Sequence, residues 1–130
     1  MELGGRLAMR KLLLLASLTQ LVGFAGVMPL PETMIPGPGT LTIDSSFSVT
    51  TSRFTDARLE LAIARFVSRI SRQTGIPLIA SKQKPTLIIE CHESGPAYPS
   101  LGENESYTLN VSSDGVRLTA PTVTGALRGL

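Results

Sequence analysis

Three adjacent residues, Cys91, His92 and Glu93, are of types that bind metal ions or act in nucleophilic catalysis. If they extend a strand, successive side chains point to opposite faces, and the three groups cannot converge on one point. A stable zinc site usually needs roughly three or four converging protein ligands. We therefore interpret this triplet as the end of a structural strand, with Cys91 as a small buried hydrophobic residue.

Paired carboxylates are the second candidate chemistry, because two acidic groups can act as general acid and general base. Glu103 and Glu105 could share a face, and Glu90 and Glu93 precede them. Glu103 and Glu105 border a loop rich in proline and glycine and lack the apolar surroundings that would raise a pKa, so we predict solvated charges. The sequence contains no HExxH, CxxC, nucleophile elbow or phosphate-binding glycine loop. We predict no catalytic, cofactor-binding or metal-binding residue, and no cofactor.

The charge distribution argues against a nucleic-acid partner. The chain has 130 residues and a formal net charge of +2. Three of its 12 basic residues and one of its 10 acidic residues lie in the first 25 positions, so the remaining nine of each sign balance. No excess positive charge is left to neutralise phosphates or anionic lipids. The absence of tryptophan, with only two tyrosines, also argues against a surface that stacks on bases or sugars.

The N-terminus has the features of an export signal. Arg10 and Lys11 precede the apolar run that starts at Leu12, and Gly23 and Ala25 are small residues at the spacing of a cleavage site. The alternative is a retained membrane anchor, but the run is shorter than the roughly 20 residues that span a bilayer. We predict a signal peptide at 1–25, a secreted or periplasmic product, and no membrane contact after its removal. Cys91 is the only cysteine, so no intramolecular disulfide can form.

The first half of the remaining chain predicts a leading segment, a hairpin and a helix. Residues 26–39 are rich in proline and form the leading segment, and one domain occupies 40–130. Thr40–Ile43 and Phe47–Thr51 are predicted to form a hairpin. Apolar residues at helical spacing predict a helix over Asp56–Thr74, with Thr55 as its N-cap and Gly75 as its stop. Its arginines lie largely off the apolar stripe, which predicts a solvated face: Arg58, Arg65, Arg69 and Arg72.

The second half predicts three strands and a further helix. Thr86–Glu90 is typical of a buried strand, and the loop Glu93–Gly102 follows it. Alternating apolar residues at 107–111 and 116–120 predict two half-buried strands joined by a turn at Asp114-Gly115. From Pro121 to Leu130 the spacing is again helical, and no cap or helix breaker follows, so we expect the sequence to be a fragment of a longer protein.

Several stretches resemble the N-terminal domain of bacterial β-N-acetylhexosaminidases of glycoside hydrolase family 20. They are Met28–Pro31, the helix segment Arg65–Pro77, Glu105–Leu109, and Ala120–Leu130. The last two are the most specific, because a Glu-x-Tyr strand, a turn with glycine and an Ala-x-x-x-x-Gly-x-x-Arg-Gly helix follow in the same order and spacing.

The resemblance implies an α+β fold in two layers, with a mostly antiparallel sheet packed by one long helix and by a C-terminal helix cut short at the chain end. It also implies that a catalytic (β/α)8 barrel follows, against which Leu127 would pack. Such enzymes hydrolyse terminal N-acetylhexosamine residues with an adjacent Asp and Glu, which belong to the barrel beyond Leu130.

The resemblance therefore predicts a non-catalytic accessory domain at 40–130 that is inactive alone and stabilises the barrel of the same polypeptide. It does not give Arg128 a role in holding substrate. The alternative is a free-standing secreted module that binds carbohydrate or another protein.

Overall fold

Helix α1 spans Ala57–Thr74 in the computed structural model, which describes residues 30–78 and 85–130 of the chain. Its predicted apolar stripe is confirmed: Leu59 is fully buried, and Ile63, Phe66 and Ile70 pack partly buried against the core. Gly75 ends the helix with a left-handed φ of 71°, and its N–H donates to the carbonyl of Ser71 at 2.9 Å.

The N-cap of α1 is Asp56, one residue after the predicted Thr55. Asp56 has an extended backbone, and its Oδ1 accepts a hydrogen bond from the Leu59 N–H at 3.0 Å. Its other carboxylate oxygen, Oδ2, accepts from Arg58 Nε at 2.9 Å. Thr and Asp both cap helices well, and the ionised carboxylate additionally complements the positive end of the helix dipole.

Four strands form one sheet in the order β1-β2-β4-β3. Their bounds are Val49–Arg53 for β1, Leu87–Glu93 for β2, Thr108–Ser112 for β3 and Gly115–Thr122 for β4. The pairs β1/β2 and β2/β4 are parallel, and only β3/β4 is antiparallel. The α+β class is confirmed, but the expected mostly antiparallel pairing is wrong, because α1 carries the chain from β1 back across the sheet and so makes β2 parallel to β1.

The predicted hairpin of Thr40–Ile43 with Phe47–Thr51 is also wrong. A turn does form, with Ser46 N donating to Asp44 Oδ1 at 2.8 Å and Phe47 N donating to the Asp44 carbonyl at 3.1 Å. Residues 40–43 nevertheless form no strand, and Ile43 packs against the core. Residues 49–51 of the second predicted strand pair instead with the distant β2, where Val49 lies opposite Leu87.

The predicted hairpin of β3 and β4 is confirmed, with its turn shifted by one residue to Ser113-Asp114. Gly115 opens β4 with a φ of 146°, and a Cβ at this position would lie 2.8 Å from the Thr86 carbonyl oxygen. Only glycine allows this close approach between the chain ahead of β2 and the start of β4. All five residues of β3 are exposed, and its two apolar side chains, Leu109 and Val111, are 47% and 56% exposed, so this strand is less buried than predicted.

Helix α2 spans Val123–Gly129 and lies on the same face of the sheet as the core. Thr122 caps it by accepting from the Gly125 N–H at 3.2 Å. Val123 and Ala126 are fully buried among the inward-facing residues of β2 and β4, including Ile89 and Leu118. Pro36–Leu130 forms one compact unit around this core.

The predicted signal peptide at 1–25 lies outside the described residues. Within the described part of the chain, no helix combines the length and the apolar character that crossing a bilayer requires. Residues 30–35 of the leading segment are exposed.

Asp56→Ala should lower the free energy of unfolding by about 1 kcal/mol, because the Leu59 N–H loses its acceptor. Burial opposes ionisation of Asp56, but the Leu59 amide and the Arg58 guanidinium outweigh it and lower the pKa of this carboxyl. The stabilisation is therefore complete above the unfolded-state pKa of about 3.9 and disappears as the pH falls through the lower folded-state value. Urea denaturation at several pH values measures both effects. Thr55→Ala is the control and should cost little; a loss confined to Thr55→Ala would contradict the assignment.

Candidate functional site

The triplet Cys91, His92 and Glu93 does not form a common site. Cys91 is fully buried on the inner face, and its Sγ lies 3.3 Å from the Glu93 carbonyl oxygen. Burial raises the pKa of the Cys91 thiol, which disfavours the nucleophilic thiolate. His92 is exposed, and its Nε2 lies 3.7 Å from Glu90 Oε1. Among the described residues, no three His, Cys, Asp or Glu side chains are grouped so as to hold a metal ion.

Glu90 is the centre of an ion-pair cluster on the outer face of the sheet. Arg53 Nε donates to its Oε1 at 2.6 Å, and Arg117 Nη1 donates to its Oε2 at 3.2 Å. The hydrogen bond from Arg53 is the main cause that lowers the pKa of Glu90, and the charge of Arg117 acts in the same direction. A carboxyl that is ionised well below neutral pH is poorly suited to donate a proton as a general acid.

Arg53 reaches Glu90 from an unusual backbone conformation. Its φ is 71°, and it is the single non-glycine residue of the described chain in the left-handed region. Phe54, which follows it, donates its N–H to the Cys91 carbonyl at 3.0 Å, so the end of β1 stays bound to β2. Sequence reasoning missed this cluster because β1 was assigned to a different partner.

Glu103 and Glu105 do not act as a pair, because each carboxylate binds its own partner. Glu103 accepts from the hydroxyl of Thr124, near the start of α2. Glu105 binds Arg128 in a bidentate arrangement, with distances of 2.9 Å and 2.8 Å to Nε and Nη2. These bonds lower the pKa of Glu105. The Arg128 guanidinium is thus held by Glu105 in this fold.

Arg58 binds the loop after β2, a role that the sequence analysis did not predict. Its Nη1 donates to the Pro96 carbonyl at 2.8 Å and its Nη2 donates to the Ser94 carbonyl at 2.9 Å, while Nε binds Asp56. The prediction that all four arginines of α1 are solvated therefore does not hold for Arg58, which fastens the loop after β2 to the start of α1. Arg69 also has a partner, the Leu130 carbonyl at 3.1 Å.

An apolar groove of about 340 Å³ opens on the inner face of the sheet. Phe66 and Ile70 of α1 and Leu109 and Val111 of β3 are among the residues that line it. Gly129 and Leu130, at the end of α2, also line it. Leu109 and Val111 are 47% and 56% exposed, although they point to the face that carries the core. The lining of the groove is apolar, so it is suited to packing rather than to chemistry.

Comparisons with known proteins relate this α+β domain to hexosaminidases. The chain belongs to the family described as beta-acetyl hexosaminidase like, whose sequence profile matches residues 27–130. Among solved structures, it is similar to the chitobiase of Flavobacterium johnsoniae, a family 20 glycoside hydrolase, with 30% sequence identity and a TM-score of 0.69. The match covers 79% of this chain and 16% of that chain. No curated protein matches this sequence.

Arg58→Lys should loosen the loop at residues 94–103, because a lysine ammonium cannot bridge two carbonyls and a carboxylate with the geometry of a planar guanidinium. We expect hydrogen exchange in that loop to accelerate and the free energy of unfolding to fall by about 1 kcal/mol. Arg65→Lys, at an exposed position of the same helix, is the matched control. Equal exchange in both variants would show that Arg58 does not hold the loop.

Proposed function

We propose that this chain is the non-catalytic N-terminal accessory domain of a secreted β-N-acetylhexosaminidase, and that it stabilises the catalytic (β/α)8 barrel of the same polypeptide. The apolar groove is the observation that carries this proposal. A surface of this kind, half-exposed and apolar on the core side of the sheet, is typical of a contact with another domain. The chain spans about a sixth of the chitobiase chain that it resembles, which agrees with a role as one part of a larger enzyme.

The electrostatics of the described residues support a non-catalytic role. The pKa values of Glu90 and Glu105 are both lowered by arginine hydrogen bonds, and the pKa of Cys91 is raised by burial. These directions are opposite to those that create a general acid near neutral pH or a reactive thiolate. The reaction of the whole protein, hydrolysis of terminal N-acetylhexosamine residues, would then belong to the barrel.

A substitution at Leu127 cannot test whether this domain contacts the barrel. Leu127 is partly buried and packs against the core of this domain itself. A charge at Leu127 would therefore damage the domain whether or not a barrel is present. Val111 is the better probe, because it lines the groove and is more than half exposed.

A free-standing carbohydrate-binding module is the second candidate, and one observation favours it. Tyr98 is 84% exposed on the loop that Arg58 fastens to α1, so its ring is available to stack on a sugar. Calorimetric titration of the chain with N-acetylglucosamine oligomers separates the two candidates. Binding that Tyr98→Ala abolishes would favour the module, whereas the accessory-domain proposal expects no such binding.

Val111→Asp should have little effect on this chain alone but a large effect on the complete hexosaminidase. In the chain alone the side chain stays largely in water, so the change should stay within about 0.5 kcal/mol. Against a barrel, an unpaired buried carboxylate costs several kcal/mol or must take up a proton. Thermal denaturation of both proteins at micromolar concentration measures the difference.

Leu101→Asp, at a fully exposed residue of the loop after β2, is the control for adding one negative charge at an apolar surface position. Equal destabilisation of the chain and of the complete enzyme by Val111→Asp would contradict a barrel contact at the groove. Turnover of a chromogenic N-acetylglucosaminide by the chain alone, above a matched blank, would contradict the non-catalytic role.

Export should remove the N-terminal segment after Ala25 and leave Gly26 as the first residue. The expectation rests on the order of Arg10 and Lys11, the apolar run and the small residues before the cleavage point. N-terminal sequencing of the product from the extracytoplasmic fraction measures it. A membrane-bound product that retains Met1 or Met9 would indicate an anchor instead.

A further inference from the structure

β3 lies at one edge of the sheet, with β4 as its neighbour on one side. All five of its residues, Thr108–Ser112, are exposed. In an antiparallel pair, alternate residues direct their N–H and C=O groups to the partner, and the others direct theirs away from it. In the part of the chain that the structure describes, no strand pairs with the free side of β3. This side therefore offers a row of backbone donors and acceptors to an added strand.

Most of the features that normally protect such an edge are absent from β3. Its sequence is Thr-Leu-Asn-Val-Ser, without a charged residue or a proline. The register with β4 runs without a bulge from Thr108 opposite Thr119 to Ser112 opposite Gly115. Natural sheets protect their edges with lysines, prolines, bulges or short strands, and β3 has only its short length.

We infer that a second copy of this chain pairs with β3, antiparallel and centred on Asn110. In this register Leu109 lies opposite the partner's Val111, and Thr108 lies opposite the partner's Ser112. Side chains alternate between the two faces of a sheet, so apolar residues meet on the inner face and polar residues meet on the outer face. Asn110 lies opposite the partner's Asn110 on the two-fold axis, as a contact between identical patches requires.

The charges near β3 allow two copies to meet. On the outer face, the charged residue beside β3 is Arg117, which lies opposite Asn110 on β4 and binds Glu90. In the dimer, three strand spacings separate Arg117 from the partner's Arg117: one from β4 to β3, one between the two copies of β3, and one from β3 to β4 of the partner. This distance of about 14 Å exceeds the Debye length at physiological salt, so the two charges are largely screened from each other. A charged peptide would gain no complementary charge along β3, whereas the neutral strand matches itself.

Asn110→Asp tests this pairing with little risk to the fold. The new carboxylate is exposed and lies opposite Arg117 on β4, where opposite charges attract across the pair. In the dimer it lies directly opposite the partner's identical carboxylate, where like charges repel. Thr50→Asp is the matched control, because it adds the same charge at an exposed position of β1, the other edge strand.

Sedimentation velocity of the purified full chain over a range of concentrations measures the association. Because five residues a side is a small contact, we expect a dissociation constant on the order of 0.1 mM. Asn110→Asp should raise it about fivefold, and Thr50→Asp should leave it unchanged. About 1 M salt should restore association of Asn110→Asp, since screening removes repulsion between exposed charges.

Two results would overturn the inference. One is a chain that stays monomeric at concentrations of about 1 mM, well above the expected dissociation constant. The other is an association that Asn110→Asp and Thr50→Asp weaken equally, which would place the contact away from β3. Circular dichroism of both variants shows whether the fold is intact. If Asn110→Asp loses its fold, Asn110→Thr replaces it, because a threonine that faces its own copy across two antiparallel strands makes a favourable pair. A lowered dissociation constant in Asn110→Thr then supports the pairing, and an unchanged one contradicts it.

Discussion

The position of β2 between two parallel neighbours is the constraint on which the rest of this structure depends. Parallel strands cannot be joined by a tight turn, so the chain must cross over the sheet between β1 and β2, and α1 makes that crossing. Both helices contribute to one core with the inward-facing residues of β2, Leu87, Ile89 and Cys91. One face of the sheet is consequently covered by helices, and the other face is left to polar residues such as Glu90.

The two faces of the sheet differ in the polarity of the side chains that they expose to water. On the outer face, Glu90 compensates the charges of Arg53 and Arg117. On the inner face, α1 has 18 residues and α2 has seven, so the helical layer does not reach over the whole sheet. The groove opens where this layer ends, beside Leu109 and Val111. Its apolar character follows from its lining, which comes from both helices and from the sheet face that carries the core.

Local patterns in the sequence predicted the local structure well. The apolar spacing of α1, its glycine stop and the β3/β4 hairpin each depend on residues close together in the chain, and each is confirmed. The pairing of β1 was missed because Val49 and Leu87 are separated by a helix, and no local signal distinguishes a parallel partner from a hairpin partner. The contacts of Arg58 with Ser94 and Pro96 were missed for the same reason, since a backbone carbonyl leaves no trace in the sequence. The groove could not be derived either, because it depends on where α2 ends over the sheet.

The stretches that carry the resemblance to hexosaminidases have a physical explanation in the docking of α2. A Cβ at Gly125 would collide with the Ser106 carbonyl oxygen, and one at Gly129 would collide with Leu118 and approach Tyr107 at 3.1 Å. Both glycines therefore let α2 approach the sheet closely. Arg128, which lies between the two glycines in the chain, binds Glu105 and so fixes the segment that leads into β3.

The Glu-x-Tyr segment before β3 and the Gly-x-x-Arg-Gly helix are thus two halves of one packing contact. Exposed ion pairs such as Glu105 with Arg128 contribute little free energy by themselves, so the pair acts mainly by orienting the two segments. In the described chain, the residues of these two stretches position α2 beside the apolar groove, since Gly129 and Leu130 at its end line that groove. The ion pair and the two glycines thus fix the place where one wall of the groove forms.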